Sequence, residues 1–162
     1  MLTFATLCYL RRGNRVLLQR KARGLFGEGR WNAPGGKMLP GELPERAAAR
    51  EMYEETGIRV SSLHFGGILN FYLGESKQLD QTVFLFVSSK STGRMRRSSE
   101  GELRWFSVDA IPYQEMWEDD RVWLPLLLDG KGFAGNFYFS ENYRRFLSHE
   151  IYDTTEPHYH KI

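Results

Sequence analysis

The sequence has a single cysteine, no long apolar run and almost no excess of charge of either sign. One cysteine, Cys8, in 162 residues excludes an intramolecular disulfide. Its place in the alternating run 4–10 predicts a buried free thiol, as expected in a reducing compartment. The longest apolar run elsewhere, residues 123–128, is far too short to span a bilayer, and no signal-peptide pattern opens the chain. We therefore expect a cytoplasmic protein with no membrane partner.

The near balance of charge argues against a nucleic-acid partner. The formal net charge is +2, and Lys and Arg are scattered without a basic stripe. A length of 162 residues with 41% hydrophobic content predicts one domain, residues 1–162, with its own core. The C-terminal tail 153–162 is expected to be mobile, so His158 and His160 are interpreted as exposed side chains rather than metal ligands.

Apolar and alternating runs predict a sheet, and two longer segments predict helices. Strands are predicted at residues 3–10, 15–18, 59–60, 64–72, 81–88, 103–106 and 132–140, and the aromatic tail through Tyr152 is expected to pair with the last strand. Helices are predicted at residues 44–55 and 119–128. This order fits a sheet between helices.

Residues 36–58 carry the strongest motif, which has the form G-x5-E-x7-R-E-φ-x-E-E-x-G-φ, where φ is apolar. Seven specified identities at ordinary residue frequencies would arise by chance in a chain of this size with odds on the order of 10⁻⁶. The pattern therefore indicates a selected site. Its fixed positions are Gly36, Glu42, Arg50, Glu51, Glu54, Glu55 and Gly57.

Most of this motif is predicted to be one helix of about three turns, since strong helix formers follow a proline at residue 44. Gly57 stands where a left-handed residue ends a helix. Glu51, Glu54 and Glu55 lie at i, i+3 and i+4, so they crowd onto one face, where like charges repel. A cation is therefore expected at this face.

Oxygen ligands of this kind favour Mg²⁺, or Mn²⁺ as a second possibility, and such ions also bind substrate phosphates. Arg50 offsets part of the negative charge, and Glu42 can hold Arg50 in return. The paired glycines of the loop 33–37 let the backbone approach a metal or phosphate, so the carbonyl of Gly35 is a further candidate ligand. The alternative is a solvated charged helix beside an ordinary turn, which explains neither the stacked glutamates nor the glycine loop.

Residues 36–58 resemble the signature of the Nudix hydrolases at every defining position. The resemblance implies an α+β fold, an α/β/α sandwich with a mixed sheet between helices. It also implies hydrolysis of a nucleoside diphosphate linked to another group. In that scheme Glu54 and Glu55 bind metal, Glu51 binds metal or acts as general base, and Arg50 orients Glu51.

Two further stretches bear on the substrate. The run F-G-x-G-R-W-N, residues 26–32, ends in Asn32, whose amide offers both a donor and an acceptor to the edge of a base. The run M-W-E-D-D, residues 116–120, joins an indole to two neighbouring acids. Taken singly, Asn32 is interpreted as a turn residue, Trp117 as a core or rim aromatic, and Asp119 as a helix N-cap.

Together with residues 123–128, these runs are similar to the eukaryotic-type MutT homologues, which cleave oxidised purine nucleoside triphosphates. The similarity extends from about residue 3 to residue 152. It implies that Asn32, Asp119 and Asp120 bind the base and that Trp117 and Phe26 stack on it. The remaining positions implied to line the pocket are Thr6, Lys21 and Phe71.

A last metal ligand is implied five residues before a strand tryptophan. Counting back from Trp105 gives Glu100, and Glu102 is the alternative. Lys37 and Lys21 are candidates for phosphate contacts, beside the backbone of Gly36.

The expected reaction is metal-assisted attack of water on a nucleoside triphosphate, which releases a monophosphate and pyrophosphate. Two adjacent carboxyls can share a proton, so the pair could adapt to 8-oxoguanine or 2-hydroxyadenine. Alternatives are a Nudix hydrolase of a dinucleoside polyphosphate or nucleotide sugar, and a non-catalytic nucleotide sensor. A monomer or a small homo-oligomer is expected.

Overall fold

The structure is a computed structural model that describes residues 1–96 and 98–154, and within them the chain forms eleven strands and two α-helices. The strands are β1 (Thr3–Arg12), β2 (Arg15–Lys21), β3 (Trp31–Asn32), β4 (Gly35–Lys37), β5 (Arg59–Ser61), β6 (His64–Leu73), β7 (Gln78–Ser88), β8 (Lys90–Thr92), β9 (Gly101–Ser107), β10 (Phe133–Phe139) and β11 (Phe146–Asp153). The helices are α1 (Pro44–Thr56) and α2 (Asp120–Leu128).

The main sheet is mixed. Its order is β11-β10-β6-β7-β1-β2-β3, with β4 paired to β1 and β9 paired to β2. The pairs β1 with β7 and β6 with β10 are parallel, and the other pairs of this sheet are antiparallel. Strands β5 and β8 form a small separate ribbon.

Alternation along β1 sends its side chains into two cores on opposite faces of the sheet. Cys8 packs with Met52 of α1 in one core. Tyr9, the next residue, packs with Trp123 and Leu124 of α2 in the other. Because one helix covers each face, the predicted α/β/α arrangement with a mixed sheet is confirmed.

The predicted helix at 44–55 is confirmed and extends by one residue to Thr56. Gly57 ends it with φ 80°, and its N–H donates to the carbonyl of Tyr53 at 2.8 Å, as a left-handed cap requires. The second helix begins at Asp120, one residue later than predicted. Asp119 occupies the N-cap position, as interpreted, but its side chain makes no capping hydrogen bond.

The predicted strands are all present, several of them longer than expected, and the tail through Tyr152 does pair with β10. The short strands β3, β4 and β8 were not predicted, because two or three residues carry no period. Of the tail expected to be mobile, Asp153 ends β11, whereas residues 155–162, with His158 and His160, lie outside the described residues.

Cys8 is fully buried, and burial raises the pKa of its thiol to about 12. The predicted buried, unpaired thiol is therefore confirmed. Across residues 1–96 and 98–154, no helix combines the length and the apolar character needed to cross a bilayer.

Candidate active site

One cleft of about 400 Å³ opens between the ends of β1, β4 and β7 and the loops that precede β3 and α2. The structure brings every predicted substrate-binding residue to its lining, although they span more than a hundred positions of sequence. They are Thr6, Lys21, Phe26, Asn32, Gly36, Lys37, Phe71, Trp117, Asp119 and Asp120.

The predicted metal-binding positions divide into two groups. Gly35, Glu51, Glu55 and Glu100 line the same cleft. Glu54 does not line it, and its side chain is half exposed on the outer part of the helix face. The carboxylate end of the cleft is therefore made by α1, the glycine loop and the loop before β9.

Glu55 is the most deeply buried of these carboxyls. Its Oε2 accepts the backbone N–H of Gly35 at 2.8 Å, and Lys21 Nζ lies 3.8 Å from its Oε1. Burial outweighs both contacts and raises the pKa of Glu55 to about 8. A carboxyl that is buried with so little compensation favours a cation beside it.

Arg50 holds the remaining glutamates of the motif. Its Nε and Nη2 donate to the two oxygens of Glu42 at 2.8 and 2.9 Å, a bidentate pair that lowers the pKa of Glu42 to about 2. Its Nη1 donates to Glu51 at 3.0 Å and to Glu54 at 3.2 Å. The predicted hold of Glu42 on Arg50 is confirmed.

The residues at this end fit a hard divalent cation. In the part of the chain that the structure describes, no three acidic, His or Cys side chains already converge as a metal cluster, and the glutamates pair with Arg50 and Lys21. Gly36 lets the carboxyl of Glu51 approach the glycine loop closely, since a Cβ there would lie 2.8 Å from its carboxyl carbon. Carboxylate and carbonyl oxygens gathered in this way suit Mg²⁺ or Mn²⁺.

The positions of Glu100 and Glu102 distinguish them as candidates for the additional metal ligand. Burial is the main cause of the raised pKa of Glu51, and the negative charge of Glu100 adds to it. Glu102 lies on β9, half exposed, and pairs with Arg104 at 2.8 Å. The placement of Glu100 in the cleft favours it as the additional ligand.

The opposite end of the cleft is aromatic. Phe26 and Trp117, both predicted to stack on a base, stack on each other with centroids 5.2 Å apart and an interplanar angle of 30°. The guanidinium of Arg30 lies 4.2 Å from the centroid of the Trp117 ring. Phe26 is 63% exposed, so its ring can move aside with little loss of packing.

Polar groups sit at the bottom of this aromatic end. Trp123 Nε1 donates to Oδ2 of Asp119 at 2.9 Å. Oδ2 of Asp120 and Oγ1 of Thr6 are buried and have no hydrogen-bond partner among the described residues. Burial raises the pKa of Asp119 to about 6 and the pKa of Asp120 well above its usual range. Such groups are expected where a ligand completes the hydrogen bonds.

The side chain of Asn32 is held by the backbone of the next residue. Its Oδ1 accepts the N–H of Ala33 at 2.8 Å, which leaves the amide nitrogen as the donor that it can present to the cleft.

Arg30, Gln81 and Tyr143 are among the residues of the cleft that were missed from the sequence. Arg30 lies inside the motif before β3 and could have been named with Trp117 as a cation partner. Gln81 and Tyr143 carry no local signal, because Gln81 lies on β7 and Tyr143 in the turn after β10, and only the tertiary fold brings both to the cleft.

Comparisons with known proteins match this arrangement to one family. Residues 1–127 match the family described as NUDIX domain. The chain is 43% identical over 135 residues to the oxidized purine nucleoside triphosphate hydrolase of Danio rerio, covering 83% of this chain and 85% of that protein. It is 42% identical to the protein of the same name from Mus musculus, covering 84% and 86%. A MutT protein from Bacillus halodurans has a TM-score of 0.81 at 29% identity, covering 96% of this chain and 99% of that one.

Proposed function

Because the chain belongs to the NUDIX family, we propose that it hydrolyses oxidised purine nucleoside triphosphates to the nucleoside monophosphate and pyrophosphate, and thereby removes damaged nucleotides from the precursor pool. The relatives from Danio rerio and Mus musculus, which are 43% and 42% identical to this chain, carry the name of this activity. 8-oxo-dGTP and 2-hydroxy-dATP are the proposed preferred substrates.

One observation carries the proposal: unsatisfied polar groups for a base and a carboxylate helix for phosphates share one cleft. The buried Oδ2 of Asp120 and Oγ1 of Thr6 need partners, and a flat base between aromatic rings would bring them. Glu51 and Glu55 lie at the other end of the same cleft. A nucleotide that spans the cleft would place its base and its phosphates in matching environments.

At the phosphate end, Mg²⁺ or Mn²⁺ would lower the pKa of a bound water and neutralise phosphate oxygens. The residues that would hold it are Glu51, Glu54, Glu55, Glu100 and the carbonyl of Gly35. Arg50 orients Glu51 through its 3.0 Å hydrogen bond, so that Glu51 can bind metal or take a proton. Lys21, Lys37 and the backbone of Gly36 supply positive charge and N–H donors to the phosphates.

At the base end, the direction of each hydrogen bond is constrained. The indole N–H of Trp123 can only donate, so Oδ2 of Asp119 must accept. Any proton that the two acids share therefore lies on the other oxygen of Asp119 or on Asp120. With Asn32 donating, the pair can present one donor and one acceptor to a purine edge, and moving the proton exchanges them.

The test is a panel of normal and oxidised nucleoside triphosphates, dinucleoside polyphosphates and nucleotide sugars, ranked by kcat/KM from pyrophosphate or phosphate release. We expect 8-oxo-dGTP and 2-hydroxy-dATP to rank above dGTP and dATP. The alternative function, hydrolysis of a dinucleoside polyphosphate or nucleotide sugar, would put one of those compounds first. Binding without turnover of any compound would indicate a nucleotide sensor.

Variants of the acid pair test the assignment of the base site. Asp119→Ala and Asp120→Ala are each expected to lose most of the preference for 8-oxo-dGTP over dGTP. Full selectivity in both variants would overturn the assignment of these residues to base recognition.

We propose a cytoplasmic location, which the free thiol of Cys8 favours. The protein is proposed to act as a monomer or small homo-oligomer, and light scattering coupled to size-exclusion chromatography measures which.

A further inference from the structure

Gln81 and Tyr143 form a hydrogen-bonded pair in the wall of the cleft. Gln81 lies on β7 two residues before Val83, so both side chains point to the same face of the sheet, and both line the cleft. Nε2 of Gln81 donates to the hydroxyl of Tyr143 at 3.0 Å. That hydroxyl donates to Oδ2 of Asp80 at 2.5 Å. The three side chains thus form one continuous chain of hydrogen bonds.

The directions of these hydrogen bonds fix the orientation of the Gln81 amide. A carboxylate accepts hydrogen bonds, so Asp80 engages the Tyr143 proton and the phenol oxygen must act as an acceptor. Only the NH₂ end of the amide can donate to that oxygen. Oε1 of Gln81 is then the end of the amide that can accept a hydrogen bond from a ligand in the cleft.

Tyr143 is itself held firmly. Its ring lies 6.0 Å from Trp117 and 5.3 Å from Phe139, centroid to centroid. Its backbone has φ 59°, in the left-handed region that bulky residues rarely adopt. Burial, followed by the hydrogen bond to Asp80, raises the pKa of Tyr143 well above its usual range. The phenol therefore keeps the proton that the orientation requires, and the strained backbone marks a position that tertiary contacts impose.

We propose that Gln81 is a specificity-determining residue whose Oε1 accepts a hydrogen bond from an exocyclic amino group of the purine. Tyr143 is the positioning residue that holds the amide in this orientation. The inference rests on the proposed function, since it places a purine in the cleft. An exocyclic amine carries two hydrogens. It can donate one of them to Gln81 and the other to an acceptor such as the Asp119 and Asp120 pair.

The test compares nucleotides that differ only in an amino group. The pairs are dGTP with dITP, which lacks the 2-amino group, and dATP with the triphosphate of deoxynebularine, which lacks the 6-amino group. In wild type, we expect a higher kcat/KM for the amino-bearing member of at least one pair. Gln81→Leu and Tyr143→Phe are each expected to reduce that preference by about five- to tenfold, mainly through KM. The double variant is expected to reduce this preference no further, because each single change already removes the same interaction.

Tyr138→Phe is the matched control. The hydroxyl of Tyr138 also donates to a carboxylate, that of Glu150, but Tyr138 does not line the cleft. This variant is expected to discriminate as wild type does. Thermal melting of every variant separates a loss of fold from a loss of specificity.

An equal loss of kcat/KM for both members of each pair would overturn the inference, as would unchanged discrimination in Tyr143→Phe. Turnover of ordinary purine nucleotides in preference to oxidised ones would refute the proposed function and leave this test intact. If wild type hydrolyses none of them, the same pairs are compared as ligands by titration calorimetry. Weaker binding of only the amino-bearing member in Gln81→Leu upholds the inference, and equal weakening of both members overturns it.

Discussion

Arg96 closes the C-terminal end of helix α1 by donating from Nη2 to the carbonyl of Tyr53 at 3.0 Å. Its backbone N–H donates to the carbonyl of Thr56 at 2.8 Å. The last turn of α1 contains no basic residue of its own, so Arg96 supplies the positive charge that a helix C-terminus favours. The same loop continues to Glu100, and Arg96 therefore joins the loop of one candidate ligand to the helix of three others.

Arg96→Ala is expected to raise the Mg²⁺ concentration that gives half-maximal activity, because the loop before β9 would lose its side-chain bond to α1 and keep only the backbone bond to Thr56. The free energy of unfolding should fall by only about 1 kcal/mol, since the bonds lost are exposed. Metal titration of activity and urea unfolding measure the two effects. Arg94→Ala, on the same loop, is the control. Equal metal requirements in both variants would show that Arg96 does not position Glu100.

Gly36→Ala is expected to impair turnover, whereas Gly35→Ala is expected to destabilise the fold. A Cβ on Gly36 would displace the flexible carboxyl of Glu51, so kcat is expected to fall at least about tenfold with a small change in stability. A Cβ on Gly35 would lie 2.0 Å from the backbone oxygen of Thr6, which cannot yield while β1 pairs with β4. That variant should lose about 3 kcal/mol of stability. Kinetics and urea unfolding of both variants give the comparison, and normal turnover by Gly36→Ala would contradict it.

Glu54→Gln is expected to abolish turnover and leave the fold intact. The side chain is half exposed and makes its ion pair with Arg50 at the surface, so its loss costs little stability. The amide cannot replace a charged metal ligand. Glu45→Gln, an exposed glutamate of the first turn of the same helix, is the control and should keep full activity. A near-normal kcat in Glu54→Gln would refute its assignment as a ligand.

The Asp119 and Asp120 pair should make stability depend on pH. Burial raises the pKa of Asp119 to about 6, so the folded protein disfavours the ionised form. The contribution of Asp119 to the free energy of unfolding is then fully present below about pH 4 and is lost as the pH rises through 6. The double variant Asp119→Asn/Asp120→Asn removes this loss. Relative to that variant, wild type should lose on the order of 1–3 kcal/mol between pH 4 and pH 8.

Urea unfolding of both proteins at each pH, without divalent ions, measures this difference. Other titrating groups, such as Glu55, are common to both proteins, so their contributions cancel. A difference that stays constant from pH 4 to pH 8 would mean that folding does not raise the pKa values of the pair.

The two ends of the cleft were predictable from the sequence to different degrees. Helix α1 follows from signals within 20 residues, namely a proline at its start, Gly57 at its end and stacked glutamates between. Asn32 and Trp117 are 85 positions apart, so only the family resemblance joined them in advance. Gln81 and Tyr143 were missed because they meet only after β7 pairs with β6 and β6 pairs with β10, which no local pattern encodes.

The order of elements along the chain has a consequence for synthesis. Helix α1 and its glycine loop are complete by Gly57, whereas the aromatic end of the cleft needs Trp117, the two aspartates and Tyr143. At about 5–20 residues per second, a ribosome completes those parts several seconds later. The ribosome therefore adds the residues of the carboxylate helix before those of the aromatic end, so the base site depends on residues that are synthesised later.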